Sequence, residues 1–184
     1  MRALRGTELK RFMRGQERPK LDLVLVLEDV EDPVNVGSVF RIADAADAKL
    51  VLSGITPAPP HKLIEKIGRG KDRRVPWSTT DDLVAKLGEL RSEGHTIFAL
   101  ELTDASVIYS EVEYPSKTVI VVGHEDHGVT KKTLAAVDRA IYIPMFGKGA
   151  SLNVHVALSV ATFEVIRRRT AMELARGANY ASVS

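Results

Sequence analysis

The 184-residue sequence contains no cysteine, which excludes disulfide bonds, thiolate metal sites and thiol nucleophiles. No uninterrupted apolar run approaches the roughly 20 residues that a membrane-spanning helix needs. The basic start of the chain has no apolar segment behind it, so no signal peptide is expected. These absences make the cytoplasm the expected location.

Several well-known catalytic and nucleotide motifs are also missing. No G-x-G-x-x-G fingerprint follows the first apolar run, and no G-x-x-x-x-G-K-[ST] loop occurs. Ser151 lacks the G-x-S-x-G elbow of a Ser-His-Asp hydrolase. The run His124-Glu125-Asp126-His127 lacks H-E-x-x-H spacing and has no second cluster to complete a ligand shell, so no metal is expected.

The composition that remains is typical of one globular domain. Hydrophobic residues make up 45% and charged residues 27% of the chain, and the net charge is only +2. Lysine and arginine nevertheless gather in residues 1–20, 61–74 and 167–169. Such clusters could be phosphate-binding surface, or could be the solvated faces of ordinary helices; composition leaves both interpretations open.

The hydrophobic pattern alternates between the strand and helix periods. Short apolar runs predict strands at residues 21–27, 50–52, 95–102, 118–122 and 140–143, with a further extended piece at 74–77. Helical spacing predicts helices at residues 7–14, 35–48, 61–67, 81–92, 130–137 and 153–169, the fourth capped by Thr80 or Asp81. This alternation predicts an α/β domain, a mainly parallel sheet with helices on both faces. The expected organisation is a basic N-terminal extension (1–20), the domain (21–170) and a C-terminal tail (171–184), frayed after Gly177.

Three predicted strands end in polar, glycine-bearing loops that lead into helices. These loops are residues 28–37, 123–128 and 144–153. The carboxyl ends of parallel strands lie at one edge of the sheet, where ligands gather, and helix starts expose backbone N–H groups. The three loops are therefore expected to share a pocket.

The same loops resemble the motifs of a known enzyme family. Asn35-x-Gly37-x-x-x-Arg41 resembles the first motif of the SpoU (TrmH-like) class of SPOUT RNA methyltransferases. Gly123-His-Glu-Asp-His-Gly128, followed by Ile141-Tyr-Ile-Pro-Met145, is similar to the second, and Ser151-Leu-Asn-Val154 to the third. Each motif alone is weakly specific, but the ordered triplet is strongly so.

The resemblance implies a fold and a reaction that periodicity could not. The fold is a parallel α/β sheet whose C-terminal part, roughly residues 119–160, forms a deep trefoil knot, a rare feature in proteins. The implied activity is methylation of a ribose 2′-hydroxyl in structured tRNA or rRNA, with S-adenosylmethionine as methyl donor. A homodimer without membrane or metal partners is implied, and no separate N-terminal RNA-binding domain is expected before the first strand.

The resemblance also assigns roles to individual residues. Arg41 is the implied catalytic residue, Asn35 and Glu125 position it and the RNA, and Ser151 and Asn153 order the knot loop. The residues expected at the methyl donor are Gly123, Glu125, Ile143, Met145, Ser151, Leu152 and Asn153.

The chemistry of arginine leaves the role of Arg41 open. A guanidinium normally stays protonated. Arg41 therefore either becomes a base only when it is desolvated against phosphate, or orients the phosphate beside the target ribose. The alternative is a surface phosphate anchor or an ion pair with Asp44 or Asp47 on the same helix.

The sequence departs from the family pattern at three positions. His124 and Asp126 stand where the second motif usually has Asn and Gly, and His155 stands where the third often has Ser. His155 is expected to be a packed or surface helix histidine that does not face the pocket. The departures motivate an alternative, a non-catalytic RNA-binding module on the same fold; an NAD-dependent oxidoreductase ranks last because the glycine fingerprint is missing.

Overall fold

The computed structural model describes residues 2–15, 19–149 and 151–181. Seven strands are present in these residues: β1 (Asp22–Glu28), β2 (Lys49–Ser53), β3 (Trp77–Thr80), β4 (Thr96–Leu100), β5 (Val107–Ile108), β6 (Lys117–Val122) and β7 (Arg139–Tyr142). Six α-helices accompany them: α1 (Gly6–Arg14), α2 (Pro33–Ala46), α3 (Lys62–Gly68), α4 (Leu83–Ser92), α5 (Lys131–Leu134) and α6 (Val154–Ala181). A 3₁₀ turn, Lys71–Arg73, follows α3.

All seven strands form one parallel sheet in the order β3-β2-β1-β6-β4-β7-β5. Leu25 in the middle of β1 is in register with Leu50 of β2 and Ile120 of β6. The expected mainly parallel α/β architecture is therefore confirmed. The trefoil knot over roughly residues 119–160 stays a prediction.

The sheet is buried on both faces, which explains the unbroken apolar runs of its central strands. Successive side chains of a strand point to opposite faces. In β1, Leu23, Leu25 and Leu27 join the core under α2, α3 and α6. Val24 and Val26 join a smaller core under α4.

Several helix boundaries differ from the predictions, among them the start of α4 and the end of α5. Asp82, and not Thr80 or Asp81, caps α4 by accepting a hydrogen bond from the Ala85 amide. Helix α5 ends at Leu134 because Asp138, bonded to the Ile97 amide, already holds the chain against β4.

Helix α6 continues to Ala181, well beyond the predicted end at residue 169. It thus includes most of the predicted tail, and Gly177 lies within the helix. Residues 182–184 of that tail, and residues 16–18 of the basic extension, lie outside the described residues.

Candidate active site

The loops that follow β6 and β7 enclose a cavity of about 910 Å³ at the carboxyl edge of the sheet. Its walls combine apolar side chains, such as Leu100 and Ala157, with backbone of the glycine-bearing loops. All seven residues predicted to bind the methyl donor line it: Gly123, Glu125, Ile143, Met145, Ser151, Leu152 and Asn153. The geometry thus brings the second and third motifs together.

Gly123 is required by the close approach of two backbone segments. His124 and Gly128 form an antiparallel bridge with mutual N–H···O bonds of 3.1 and 2.9 Å. A Cβ at position 123 would lie 2.1 Å from the Gly128 carbonyl carbon, which is far inside van der Waals contact. The loop after β6 can therefore close only around a glycine.

Two carboxylates fix the far end of the same loop. Glu28, buried at the end of β1, accepts hydrogen bonds from the Thr130 amide and hydroxyl and from the Thr133 hydroxyl. Glu101, which follows β4, accepts a 2.9 Å bond from the Val129 amide. The loop between β6 and α5 is thereby tied to two neighbouring strands.

Glu125 connects the cavity to the first motif. Its Oε1 accepts a 2.7 Å hydrogen bond from the side-chain amide of Asn35, and the Glu31 and Asp32 amides donate to its carboxylate at 3.2 and 3.3 Å. Burial raises the pKa of the Glu125 carboxyl, but these hydrogen bonds outweigh it and the pKa is lowered. Glu125 therefore carries a negative charge at neutral pH.

Asn35 does not line the cavity but is almost completely buried behind it, with 2% of its surface exposed. Its carbonyl oxygen lies 2.9 Å from Nδ1 of His155, on the first turn of α6. Its amide and carbonyl thus join Glu125 to His155. His155 does not face the larger cavity, as expected, but it is more than a packing residue of the helix.

Arg41 lies in a separate groove of about 440 Å³ between α2 and α6. Ser38 from α2 and His155 and Phe163 from α6 line the same groove. The guanidinium is exposed, and none of the described residues forms a hydrogen bond or ion pair with it. The alternative pairing with Asp44 is wrong, because Lys71 and Arg74 bind that carboxylate.

The two family departures in the second motif both line the larger cavity. The His124 and His127 rings stack 4.6 Å apart, and His124 Nδ1 accepts a 3.0 Å bond from the Asp126 amide. His124 Nε2 lies 3.7 Å from Glu31. Among the described residues no group of His, Asp and Glu could hold a metal ion, and no described helix is long and apolar enough to cross a membrane.

The cavity fits S-adenosylmethionine in size and chemistry. Pockets of roughly 300–1,000 Å³ hold ligands of this class, and the cavity adds apolar walls to exposed loop backbone. The close backbone approach requires a glycine at position 123, and the cavity rim therefore has no side chain at that position. The residues present are therefore suited to hold the donor.

The basic clusters differ in how far they are neutralised. Arg167 and Arg168 both bind Glu164, whose pKa is lowered chiefly by the Arg167 hydrogen bond. Lys62, Lys66 and Arg69 of the second cluster have no ion-pair partner among the described residues. Among the described residues of the first cluster, Arg2 pairs with Glu8, whereas Arg5, Lys10, Arg11 and Arg14 also have no ion-pair partner. The first and second clusters thus both present unpaired cations.

Sequence reasoning missed three residues of this arrangement. Glu28 and Glu101 each end a buried strand with a carboxylate, a signal that was available in the sequence. The contact of His155 with Asn35 joins positions 120 residues apart and had no local signal.

Comparison with known proteins identifies the family. Residues 22–163 match the SpoU rRNA Methylase family. The chain is 33% identical over 161 residues to the tRNA (guanosine(18)-2′-O)-methyltransferase of Aquifex aeolicus, covering 88% of this chain and 76% of the relative. It is 32% identical to a 23S rRNA (guanosine-2′-O-)-methyltransferase of Ralstonia nicotianae, covering 88% of this chain and 64% of the relative.

Solved structures agree with the sequence relatives. The A. aeolicus TrmH/SpoU tRNA modifying enzyme superimposes with a TM-score of 0.77 at 32% identity, over 90% of this chain and 84% of that one. An AdoMet-bound rRNA methyltransferase from Sinorhizobium meliloti gives a TM-score of 0.75 at 25% identity, over 84% and 59% of the two chains. The predicted enzyme class and the predicted cofactor, S-adenosylmethionine, are confirmed. By its fold, its ordered motifs and these relatives, the chain belongs to the SpoU rRNA methylase family.

Proposed function

We propose that the chain transfers the methyl group of S-adenosylmethionine to a ribose 2′-hydroxyl of tRNA, with Arg41 at the RNA. The observation that carries this proposal is the chain of hydrogen bonds Glu125–Asn35–His155, which connects the larger cavity to the Arg41 groove. A site for the donor and a cationic site for RNA are thereby held in fixed relation.

The larger cavity is the proposed donor site. Backbone around Gly123, Ile143 and Met145, together with Leu152 and Asn153 just before α6, would hold the donor there. When bound, the donor supplies an electrophilic methyl group. Asn153 orders this loop by accepting a 3.1 Å hydrogen bond from the His155 amide, and Ser151 lines the cavity beside it.

Arg41 is the proposed phosphate contact. A guanidinium offers five N–H donors in a planar fork that matches a phosphate, and that of Arg41 is exposed and unpaired among the described residues. Binding the phosphate next to the target ribose would fix the 2′-hydroxyl in line with the methyl group. Such positioning supplies a large part of the acceleration in bimolecular transfers.

The choice of tRNA over rRNA follows from how much of each relative is matched. The chain matches 76% of the Aquifex tRNA enzyme but 64% of the Ralstonia rRNA enzyme at nearly the same identity. A larger share of the tRNA enzyme is thus present in this chain. Lys62, Lys66 and Arg69 on and after α3 are the cations proposed to extend the RNA contact.

A homodimer is part of the proposal. The groove between α2 and α6 exposes 40% of Val156 and 46% of Phe163. Exposed apolar side chains of adjoining helices are typical of subunit interfaces. A second copy packed near this groove would border Arg41 and shield the site from water. The cytoplasmic location stays a prediction.

Labelled S-adenosylmethionine and RNA from cells that lack this gene test the reaction and the substrate together. We expect label in the tRNA fraction, at a nucleotide that becomes resistant to alkaline cleavage. Label only in rRNA would replace the proposed substrate. Donor binding by calorimetry without label in any RNA would favour the non-catalytic RNA-binding module.

A further inference from the structure

The tautomer of His155 is fixed by its neighbours. The side-chain amide of Asn35 donates to Glu125 Oε1 at 2.7 Å, so the Asn35 carbonyl oxygen is the atom that lies 2.9 Å from His155 Nδ1. A carbonyl oxygen only accepts hydrogen bonds, and therefore Nδ1 must carry the proton. In the neutral ring Nε2 then keeps its lone pair.

His155 is also held in its neutral form. Burial lowers the pKa of the imidazole below its ordinary value of about 6.5, although the charge of Asp32 acts in the opposite direction. The charged groups around the ring are Asp32 at the start of α2, Arg41 further along α2, and Glu125, which acts through Asn35. At pH 7 the ring is an available proton acceptor.

Arg41 and His155 line one groove, and their chemistries are complementary. A guanidinium has no acceptor atom and stays protonated, so it binds phosphate well and takes up a proton poorly. A neutral imidazole can take up a proton near physiological pH. The two halves of the catalytic task therefore fit two different residues of the same groove.

We propose that His155 is the general base, which accepts the 2′-hydroxyl proton at Nε2 while Asn35 and Glu125 hold its ring; this inference rests on the proposed function. The O–H bond breaks and its proton goes to Nε2. An electron pair of the ribose 2′-oxygen forms the new O–CH3 bond as the C–S bond breaks. The two electrons of the C–S bond remain on sulfur. The imidazolium then returns the proton to water.

The His155→Asn variant distinguishes the proposed function of His155 as a base from its hydrogen bond to Asn35. The asparagine amide can replace Nδ1–H and still donate to Asn35, but it has no group at the position of Nε2. If His155 is the base, single-turnover methylation falls about 10²- to 10⁴-fold in both His155→Asn and His155→Ala. Donor affinity, measured by calorimetry, stays within about twofold of the original, because the ring does not line the larger cavity. His61→Asn, a partly buried histidine before α3, is the matched control and should keep the rate.

The pH profile tests the same assignment. Because the base acts only when neutral, the rate should fall as the pH drops through the lowered pKa of His155, below about 6.5. That acidic limb should be missing in His155→Asn. If the asparagine variant keeps the original rate and acidic limb, His155 is no base and serves only to bind Asn35.

A spectroscopic readout is independent of turnover. In the free protein, nitrogen-15 NMR should show the Nδ1–H tautomer of His155 and a titration below that of an exposed histidine. In the Asn35→Ala variant, His155 should lose its preference for the Nδ1–H tautomer. An Nε2–H tautomer would overturn the inference whatever the activity, whereas a donor-binding protein with the expected tautomer that methylates no RNA would contradict the proposed function instead.

Discussion

At the scale of single residues, the site depends on polar side chains that use all of their hydrogen-bonding groups. Asn35 is buried, and both ends of its amide are occupied, by Glu125 on one side and His155 on the other. An unsatisfied buried polar group costs about 1–3 kcal/mol. The amide therefore has one favourable orientation, in which its NH2 group faces Glu125 and its carbonyl oxygen faces the His155 ring.

Arg41→Ala should impair catalysis without harming the fold. The side chain is exposed and has no ion pair among the described residues, so the free energy of unfolding should change by less than about 0.5 kcal/mol. Loss of a charged contact to the RNA should lower kcat/KM for methylation by about 10²- to 10³-fold. Steady-state kinetics with RNA and urea unfolding measure the two quantities.

Arg139→Ala is the matched control for that substitution. Arg139 is also exposed, but it begins β7 and so lies at the opposite, amino edge of the sheet. It should keep the original kinetics. Normal turnover in Arg41→Ala would remove Arg41 from the catalytic assignment.

The lowered pKa of Glu125 predicts a pH-dependent contribution to stability. Its hydrogen bonds favour the ionised form, so this contribution is fully present above the unfolded pKa of about 4.3. It is lost as the pH falls through the lower pKa of the folded state. The difference in unfolding free energy between the original protein and Glu125→Gln should therefore be constant near pH 7 and shrink below about pH 4.3.

Urea unfolding between neutral and acidic pH measures this difference. Glu113→Gln provides the control, because Glu113 is exposed and has no hydrogen-bond partner among the described residues. A difference that does not vary with pH would show that the hydrogen bonds to Glu125 do not favour its ionised form.

At the scale of elements, neighbouring strands fix the loop that borders the larger cavity. β1 ends in the buried carboxylate of Glu28, which binds the cap residue of α5, Thr130, and also Thr133. Glu101 at the end of β4 holds Val129 in the same way. A loop anchored at several points keeps its backbone groups in place before any ligand binds, which reduces the ordering cost of binding.

Thr133→Val should loosen this anchor. The hydroxyl is buried and donates to Glu28, and an almost isosteric valine leaves that carboxylate with one partner fewer. We expect a loss of about 1–3 kcal/mol in the free energy of unfolding and weaker donor binding. Urea unfolding and calorimetry measure both effects.

Thr79→Val, on an exposed position of β3, is the comparison for that change. It should alter the free energy of unfolding by less than about 0.5 kcal/mol. Equal effects of the two substitutions would mean that the hydrogen bond to Glu28 contributes nothing to stability.

At the scale of the whole molecule, the groove between α2 and α6 leaves apolar side chains open to solvent beside a catalytic candidate. Phe163 is 46% exposed there. Phe163→Glu should convert the proposed dimer to monomer, because a second copy would have to bury the new charge, and RNA methylation should fall with it. Size-exclusion chromatography with light scattering measures the mass.

Ile55→Glu tests whether any exposed apolar residue would give that result. Ile55 is 60% exposed in the turn after β2, away from the groove. It should leave the mass and the activity unchanged. An original protein that is already a monomer, or a Phe163→Glu protein that remains a dimer, would contradict the proposed interface.

Local pattern alone was enough for most of the helices and strands, although it missed β5, and for the meeting of the loops at the carboxyl edge of the sheet. The β1 run 22–28 is continuous because both of its faces are buried, and a run of that kind predicts a parallel strand. Because parallel strands end at one edge, the loops after β6 and β7 were expected to meet, and they do enclose one cavity. The seven residues that the resemblance assigned to the donor all line it. The resemblance added the reaction, which no periodicity encodes.

Helix ends were less predictable, since they depend on contacts outside the helix. Asp82 caps α4 although Asp81 carries the same side chain, and α5 stops where Asp138 bonds to β4. Local propensity cannot decide which residue caps α4 or where α5 ends, because the neighbouring residues offer nearly equal caps.

The sequence by itself determined the parallel α/β architecture through its short-range periodicity, and the family through its ordered motifs. The family resemblance also named seven residues that line the larger cavity. Only the tertiary structure decided that Arg41 lies in a second groove, that Asp44 binds Lys71 and Arg74, and that His155 meets Asn35. The reason is physical: these contacts join side chains on different elements, and their partners are selected by how α2 and α6 pack on the sheet.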